Sequence, residues 1–385
     1  MILLALAVSA SAVLVDPYRM YGTRPIQGLT AVKPAAYRNS SFVKEYLLER
    51  VKPRTLLLGN SRVEIGLDPA SPLWPKDDQP VFNAAEAGHD LQTAAERLRL
   101  AMQVAPLRLV IVAADFPDFL EPHDLHPTGS INSPRLPFLA DGISNPMRVN
   151  QLWKDRFVTA LTVDALYDSI VTLIDQDPIE GVTMTSEGFN PLRQIAAAAK
   201  AEGYHALFAQ KMSLYAAQFA AYPKPDFSEP LRHANFQYLD DIVRSTTRNG
   251  IHVIVFINPY HVTLLDLWRE DGLWPGFESW KRALVHVVDQ AAGSHRDLAT
   301  ILDFSGYSNF TAEPIPPSTD RYSAMRWYWE AGHFKRELGE KLIARMVGMN
   351  EAFGRELTAA TINEALLDMR KERPLSNAVA SSVTR

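Results

Sequence analysis

Five short apolar runs, Thr55 to Leu58, Val81 to Ala84, Leu107 to Ala113, Ile251 to Ile257 and Ala299 to Phe304, limit what this chain can fold into. A strand covered on both faces needs such a run, because no side of it meets water. Amphipathic stretches fall between the runs, notably Leu91 to Val104, Asn235 to Asn249 and Ser279 to Ala292. Strand alternating with helix implies right-handed crossovers. The predicted class is therefore α/β: a doubly wound, mainly parallel five-stranded sheet between two helical layers. In such sheets reactive groups gather in loops at the carboxyl ends of the strands.

The alternation defines an α/β domain over 50–350. It is interrupted over 117–230 by a proline-rich loop and two long helical stretches, Val149 to Asp175 and Leu192 to Ala221, with no strand between them. This insertion is expected to form a lid at the strand ends. Residues 351–385 read as a C-terminal helix and tail. Residues 1–22 open with an uncharged apolar run, Ile2 to Val15, containing Ala10-Ser11-Ala12. That pattern suits an export signal or membrane anchor, placing the chain in the cell envelope, inner-membrane-anchored or periplasmic. A buried N-terminal helix is the other reading, since the run is shorter than the ~20 residues of a spanning helix.

Composition removes whole classes of function. The 385 residues include no Cys, which excludes disulfides, thiolate metal sites and cysteine nucleophiles, and 47% hydrophobic content supplies a large core. A net charge of -5 without any basic block argues against nucleic acid. Gly-x-Gly-x-x-Gly, the Walker phosphate loop and His-Glu-x-x-His do not occur, so no cofactor is expected. His123 and His126 have a spacing open to metal ligation, but no third ligand is evident and no metal is expected.

At the end of the first run the sequence reads Gly59-Asn60-Ser61-Arg62. Glycine permits a tight turn out of the strand, so Ser61 is exposed where the next element begins. The Ser61 and Arg62 N–H groups can then face a developing oxyanion. A serine hydroxyl needs a general base, and Glu330-Ala331-Gly332-His333 offers an imidazole with a carboxylate three residues earlier. His333 falls in a loop or first turn just ahead of a helix whose apolar positions are Phe334, Leu338, Leu342 and Met346. The same Gly-Asn-Ser also suits a turn with a helix cap.

Gly59-Asn60-Ser61 resembles the Gly-Asp-Ser block of the GDSL or SGNH hydrolases, and Glu330-x-x-His333 their carboxyl-terminal Asp-x-x-His block. Asn83 to Gly88 is similar to the segment carrying their oxyanion-hole glycine. The set looks like the membrane-anchored periplasmic branch that includes alginate-type polysaccharide O-acetyltransferases. The resemblance implies a flavodoxin-like three-layer sandwich and catalysis by Ser61, His333 and Glu330, with an oxyanion hole at Ser61 and Gly88. It also implies an acyl ester or polysaccharide substrate and leaves open a membrane-bound acyltransferase as partner.

Two positions depart from the pattern. Asp115 stands where the third block would have an amide, and Glu330 replaces Asp, with Asp303 and Asp320 as alternative acids. These departures favour a second expectation, a catalytically degenerate fold that binds polysaccharide or scaffolds a membrane complex. Arg62 is a candidate clamp for a carboxylate or phosphate, or a partner for Glu64 or Asp68. Asn258, Tyr260 and His261, at a strand end, are with Asp115 further substrate-binding candidates, His261 suiting a satisfied loop histidine equally well; Trp327, Tyr328 and Trp329 offer stacking faces or burial against the sheet edge.

Overall fold

The computed structural model describes residues 10–120, 133–139, 141–177 and 181–380, except the side chains of 193, 194 and 373–380. His123 and His126 lie outside the described residues. The predicted strands appear as β1 (Thr55–Leu58), β2 (Val81–Asn83), β3 (Leu109–Ala114), β4 (His252–Ile257) and β5 (Ala299–Asp303), all parallel, in the order β2-β1-β3-β4-β5. A hairpin of β6 (Tyr328–Glu330) and β7 (His333–Phe334) forms a separate small sheet.

The main sheet has six strands, not five. β8 (Arg355–Glu356) pairs antiparallel with the outer edge of β5. It lies in the segment read as a C-terminal helix and tail, where helix Ile362–Ala380 follows. Two exposed charged residues carry no pattern that sequence reading detects.

Side chains alternate across the sheet with the strand period of two. Leu56, Leu58, Val110, Val112, Val253 and Val255 join one core with helices Ser40–Val51, Leu91–Val104, Ala234–Arg248 and Trp274–Ala292. Leu57, Ile111, Ala113, Ile254, Phe256 and Leu302 join the second core with Val63 and with Leu338, Leu342 and Ile343 of helix Arg336–Met346. Helix Leu91–Val104 shows why these boundaries form. The Asp90 carboxylate accepts from the N–H groups of Gln92 at 3.0 Å and Thr93 at 3.4 Å, and Leu91, Ala94, Ala95, Leu98 and Ala101 make one buried stripe.

In the insertion, each expected long helix is two. Met147–Ala160 stops before Thr162, whose hydroxyl caps Val163–Ile174 by accepting from Ala165 N–H at 3.1 Å; Gly203, at φ +85°, separates Arg193–Glu202 from Tyr204–Ala220. Residues 10–15 are helical, Ala12 and Tyr18 are buried, and the Tyr18 hydroxyl donates to Asp168 of the insertion at 2.6 Å. Among the described residues no single helix is long and apolar enough to cross a membrane. The pair Met147–Ala160 and Val163–Ile174, bent by 54°, passes that test only when taken together.

Candidate active site

Gly59 leaves β1 at φ +149°, where an added Cβ would meet Val63 Cγ2 at 2.6 Å. Asn60 caps the six-residue helix Ser61–Gly66, its Oδ1 accepting from the Arg62 N–H at 3.1 Å. That bond corrects the expectation that Arg62 N–H faces an oxyanion, since the cap occupies it. Ser61 stands at the first helical position, whose N–H has no intrahelical acceptor.

The late segment meets this turn through a close approach of backbones. A Cβ on Gly66 would lie 2.1 Å from the Phe334 ring, and one on Gly339 would lie 1.8 Å from the Gly66 carbonyl oxygen. Bare backbone at both positions lets the Ser61 helix dock on β7 and on helix Arg336–Met346. His333 sits in the hairpin, not in a loop or a helical first turn, and the helix begins at Arg336. The i, i+3 spacing therefore works as a cross-strand pair: Glu330 lies opposite His333.

His333 Nε2 is 2.8 Å from Ser61 Oγ, and His333 Nδ1 bonds Glu330 Oε1. Gly332 N–H donates to the other oxygen, Oε2, at 2.7 Å. Burial pushes the Glu330 carboxyl up, but His333, Lys211 and the Gly332 N–H outweigh it and hold the pKa at about 2. An ionised carboxylate only accepts, so Nδ1 carries a hydrogen toward Glu330 and Nε2 is the ring nitrogen turned to the hydroxyl. The alternative acids are elsewhere. Asp303 binds Lys281 at 2.7 Å, and Asp320 accepts from Tyr322 and Ser323 N–H groups in an exposed turn.

Asp115 points away from the reacting oxygen into a buried cluster. It bonds Arg62 Nη1 and accepts from Tyr260 Oη at 2.5 Å and Asn60 Nδ2 at 2.6 Å, while Arg62 Nη2 donates to the Tyr215 hydroxyl at 3.1 Å. Burial works against the Arg62 charge; Asp115 overcomes it and raises the pKa. Arg62 thus pairs with neither Glu64, which binds Lys44 at 2.6 Å, nor Asp68, which lies 3.1 Å from Arg336. The cluster clamps the Asn60-Ser61-Arg62 turn, so Arg62, Asp115 and Tyr260 position the serine.

Asn258, Tyr260 and His261 are buried, and none lines the cavities at Ser61. His261 caps helix Val262–Glu270: Nδ1 accepts from Thr263 N–H at 3.3 Å, and Nε2 donates to the Glu313 carbonyl at 2.9 Å. Burial lowers its pKa to about 4, so the ring is neutral. The aromatic trio also packs away from the cavities. Trp327 contacts Phe310, Tyr328 donates to the Pro259 carbonyl at 2.9 Å, and Trp329 lies under Lys335.

Ser61 and His333 line both of two cavities. One, of about 470 Å³, is also lined by Gly88, Asn60, Arg62, His89, Asp90, Asp118, Lys211 and Tyr215. The other, of about 620 Å³, runs under the insertion, between Tyr37, Ile65 and Ala87 on one side and Tyr167, Val171, Val182, Leu192 and Ile195 on the other. Sequence reading missed these insertion residues. The available signal was the Lys211 and Tyr215 pair, one helical turn apart and so on one face. Among the described residues no group of three or more His, Asp or Glu side chains is arranged to hold a metal. No protein-family model, curated protein or solved structure matches the chain.

Proposed function

We propose that this chain is a serine esterase or O-acyltransferase of SGNH type, acting on an acyl ester of an envelope constituent such as a polysaccharide. The observation that carries the reading is the connected run from Ser61 Oγ through His333 to Glu330, open to two cavities. His333 Nε2 takes the Ser61 proton as Oγ bonds the acyl carbon. The ester C–O bond then breaks, and the departing alcohol takes that proton. Water or a sugar hydroxyl next attacks the acyl-serine, gives its proton to His333, and Ser61 regains it as the acyl group leaves. Ser61 and Gly88 share the polar cavity, and their N–H groups are the oxyanion donors of this reading. The sheet order and the insertion at the strand ends support a flavodoxin-like three-layer sandwich.

The envelope assignment draws on the apolar N-terminal run and on one face of the insertion. Val163 and Ile174 are 84% and 79% exposed, with Trp153 and Phe157 also facing outward. The opposite face is polar and tied to the domain, Asp155 accepting from Tyr46 at 2.7 Å and Asp168 from Tyr18. A helix pair with one apolar face outward lies on a bilayer surface instead of spanning it. Turnover of a chromogenic acetyl or butyryl ester tests the catalytic reading. Ser61→Ala is expected to lose on the order of 10⁴-fold with folding intact, and full retention of activity refutes it.

A further inference from the structure

The two cavities at Ser61 differ in chemistry, and that difference names the substrate more narrowly. The wall of the larger is more apolar than polar, with Ile65, Tyr167, Val171, Val182, Leu192 and Ile195 among its apolar side chains. Its buried carboxylates are already satisfied. Glu64 binds Lys44 at 2.6 Å and accepts from Tyr37 Oη at 3.0 Å; Asp168 accepts from Tyr18 Oη at 2.6 Å and lies 3.3 Å from Arg38. A ligand there meets mostly apolar surface, with Arg38, Thr183 and Asn190 as the remaining polar side chains of the wall. The smaller cavity presents Lys211, Asp118 and His89. At about 620 Å³ the apolar cavity falls in the range that holds ligands of many heavy atoms, far beyond the two carbons of an acetyl group.

Resting on the serine-ester reading above, we propose that the larger cavity is an acyl-chain site: Ser61 accepts a medium-length aliphatic acyl group whose chain lies under the insertion, while the polar cavity holds the alcohol half of the ester. Each CH₂ moved from water into apolar surroundings is worth roughly a fourfold gain, so buried chain length should be read directly in kcat/KM.

The experiment uses the full chain with 4-nitrophenyl acetate, butyrate and octanoate, which share one leaving group. Expected is a rise in kcat/KM of about 15-fold from acetate to butyrate and a further rise to octanoate. Val171→Trp, which fills the cavity, should lower the octanoate-to-acetate ratio by about tenfold or more. If acetate is turned over and the longer esters are no better, the acyl-chain site is wrong and the serine reading stands. If folded protein turns over none of the three and Ser61 is not labelled by a fluorophosphonate, the underlying reading fails and this inference with it.

Discussion

Replacing Asp115 with asparagine keeps the shape of the side chain and removes the counter-charge of a buried guanidinium. Asp115 and Arg62 are 1% and 6% exposed, and the carboxylate serves three donors: Arg62 Nη1, Tyr260 Oη and Asn60 Nδ2. Stranding one partner of a buried ion pair costs about 3–5 kcal/mol, a large part of the ~5–15 kcal/mol that holds a domain folded. Arg62→Leu strands the other partner and should cost a similar amount. The Arg62→Leu/Asp115→Asn double variant removes both charges of the pair, so its loss should fall short of the summed single losses by ~2 kcal/mol or more. Urea unfolding followed by far-ultraviolet circular dichroism gives all four stabilities. Because the same cluster clamps Asn60 and Ser61, ester turnover should fall in both single variants under conditions where they remain folded. An Asp115→Asn loss below about 1 kcal/mol, or strictly additive single losses, would refute the reasoning.

Four further outcomes are expected. Glu330→Gln should lower kcat by on the order of 10³–10⁴-fold, because Nδ1 no longer faces an ionised acceptor; stopped-flow ester hydrolysis measures it. Gly66→Ala should cost about 1–3 kcal/mol or more by overpacking, since the new Cβ meets the Phe334 ring, and should depress turnover by displacing His333. His261, lowered to about 4, binds its proton more weakly folded than unfolded, so its contribution is complete above about pH 6.5 and lost as pH falls toward 4. That is about 3 kcal/mol at most, and His261→Asn should flatten this part of a stability-versus-pH curve. Finally, flotation with anionic vesicles should recover the wild-type chain, and Trp153→Asp/Phe157→Asp should reduce the recovered fraction.

Much of the α/β frame was legible because buried strands must be apolar throughout: Leu56 to Leu58 and Val110 to Val112 have no alternative to the sheet interior. Ser61 and His333 were legible for a related reason, each following or preceding a strongly patterned element. What joins them was not. Gly66 and Gly339 mark contact only once the two segments are known to meet. Arg62 and Asp115, and likewise Glu64 and Lys44, are partners far apart in sequence, and a charged residue after a strand reads equally well as surface or substrate site. Of the two readings open for that stretch, the structure takes the satisfied one at His261, and Tyr260 likewise turns inward: a strand-end loop can do so when a carboxylate or a helix N–H group awaits its polar side chains. The insertion carries no strand periodicity, so its cavity-lining residues had no signal beyond helical spacing.

A covalent intermediate at one hydroxyl is the central step of the proposed reaction. Mixing the protein with excess 4-nitrophenyl butyrate, quenching in acid and digesting for mass spectrometry should show a burst of nitrophenolate and a butyryl group on the peptide carrying Ser61. Both should vanish in Ser61→Ala. Ester turnover that survives in Ser61→Ala, or an acyl group found only on another residue, would contradict it.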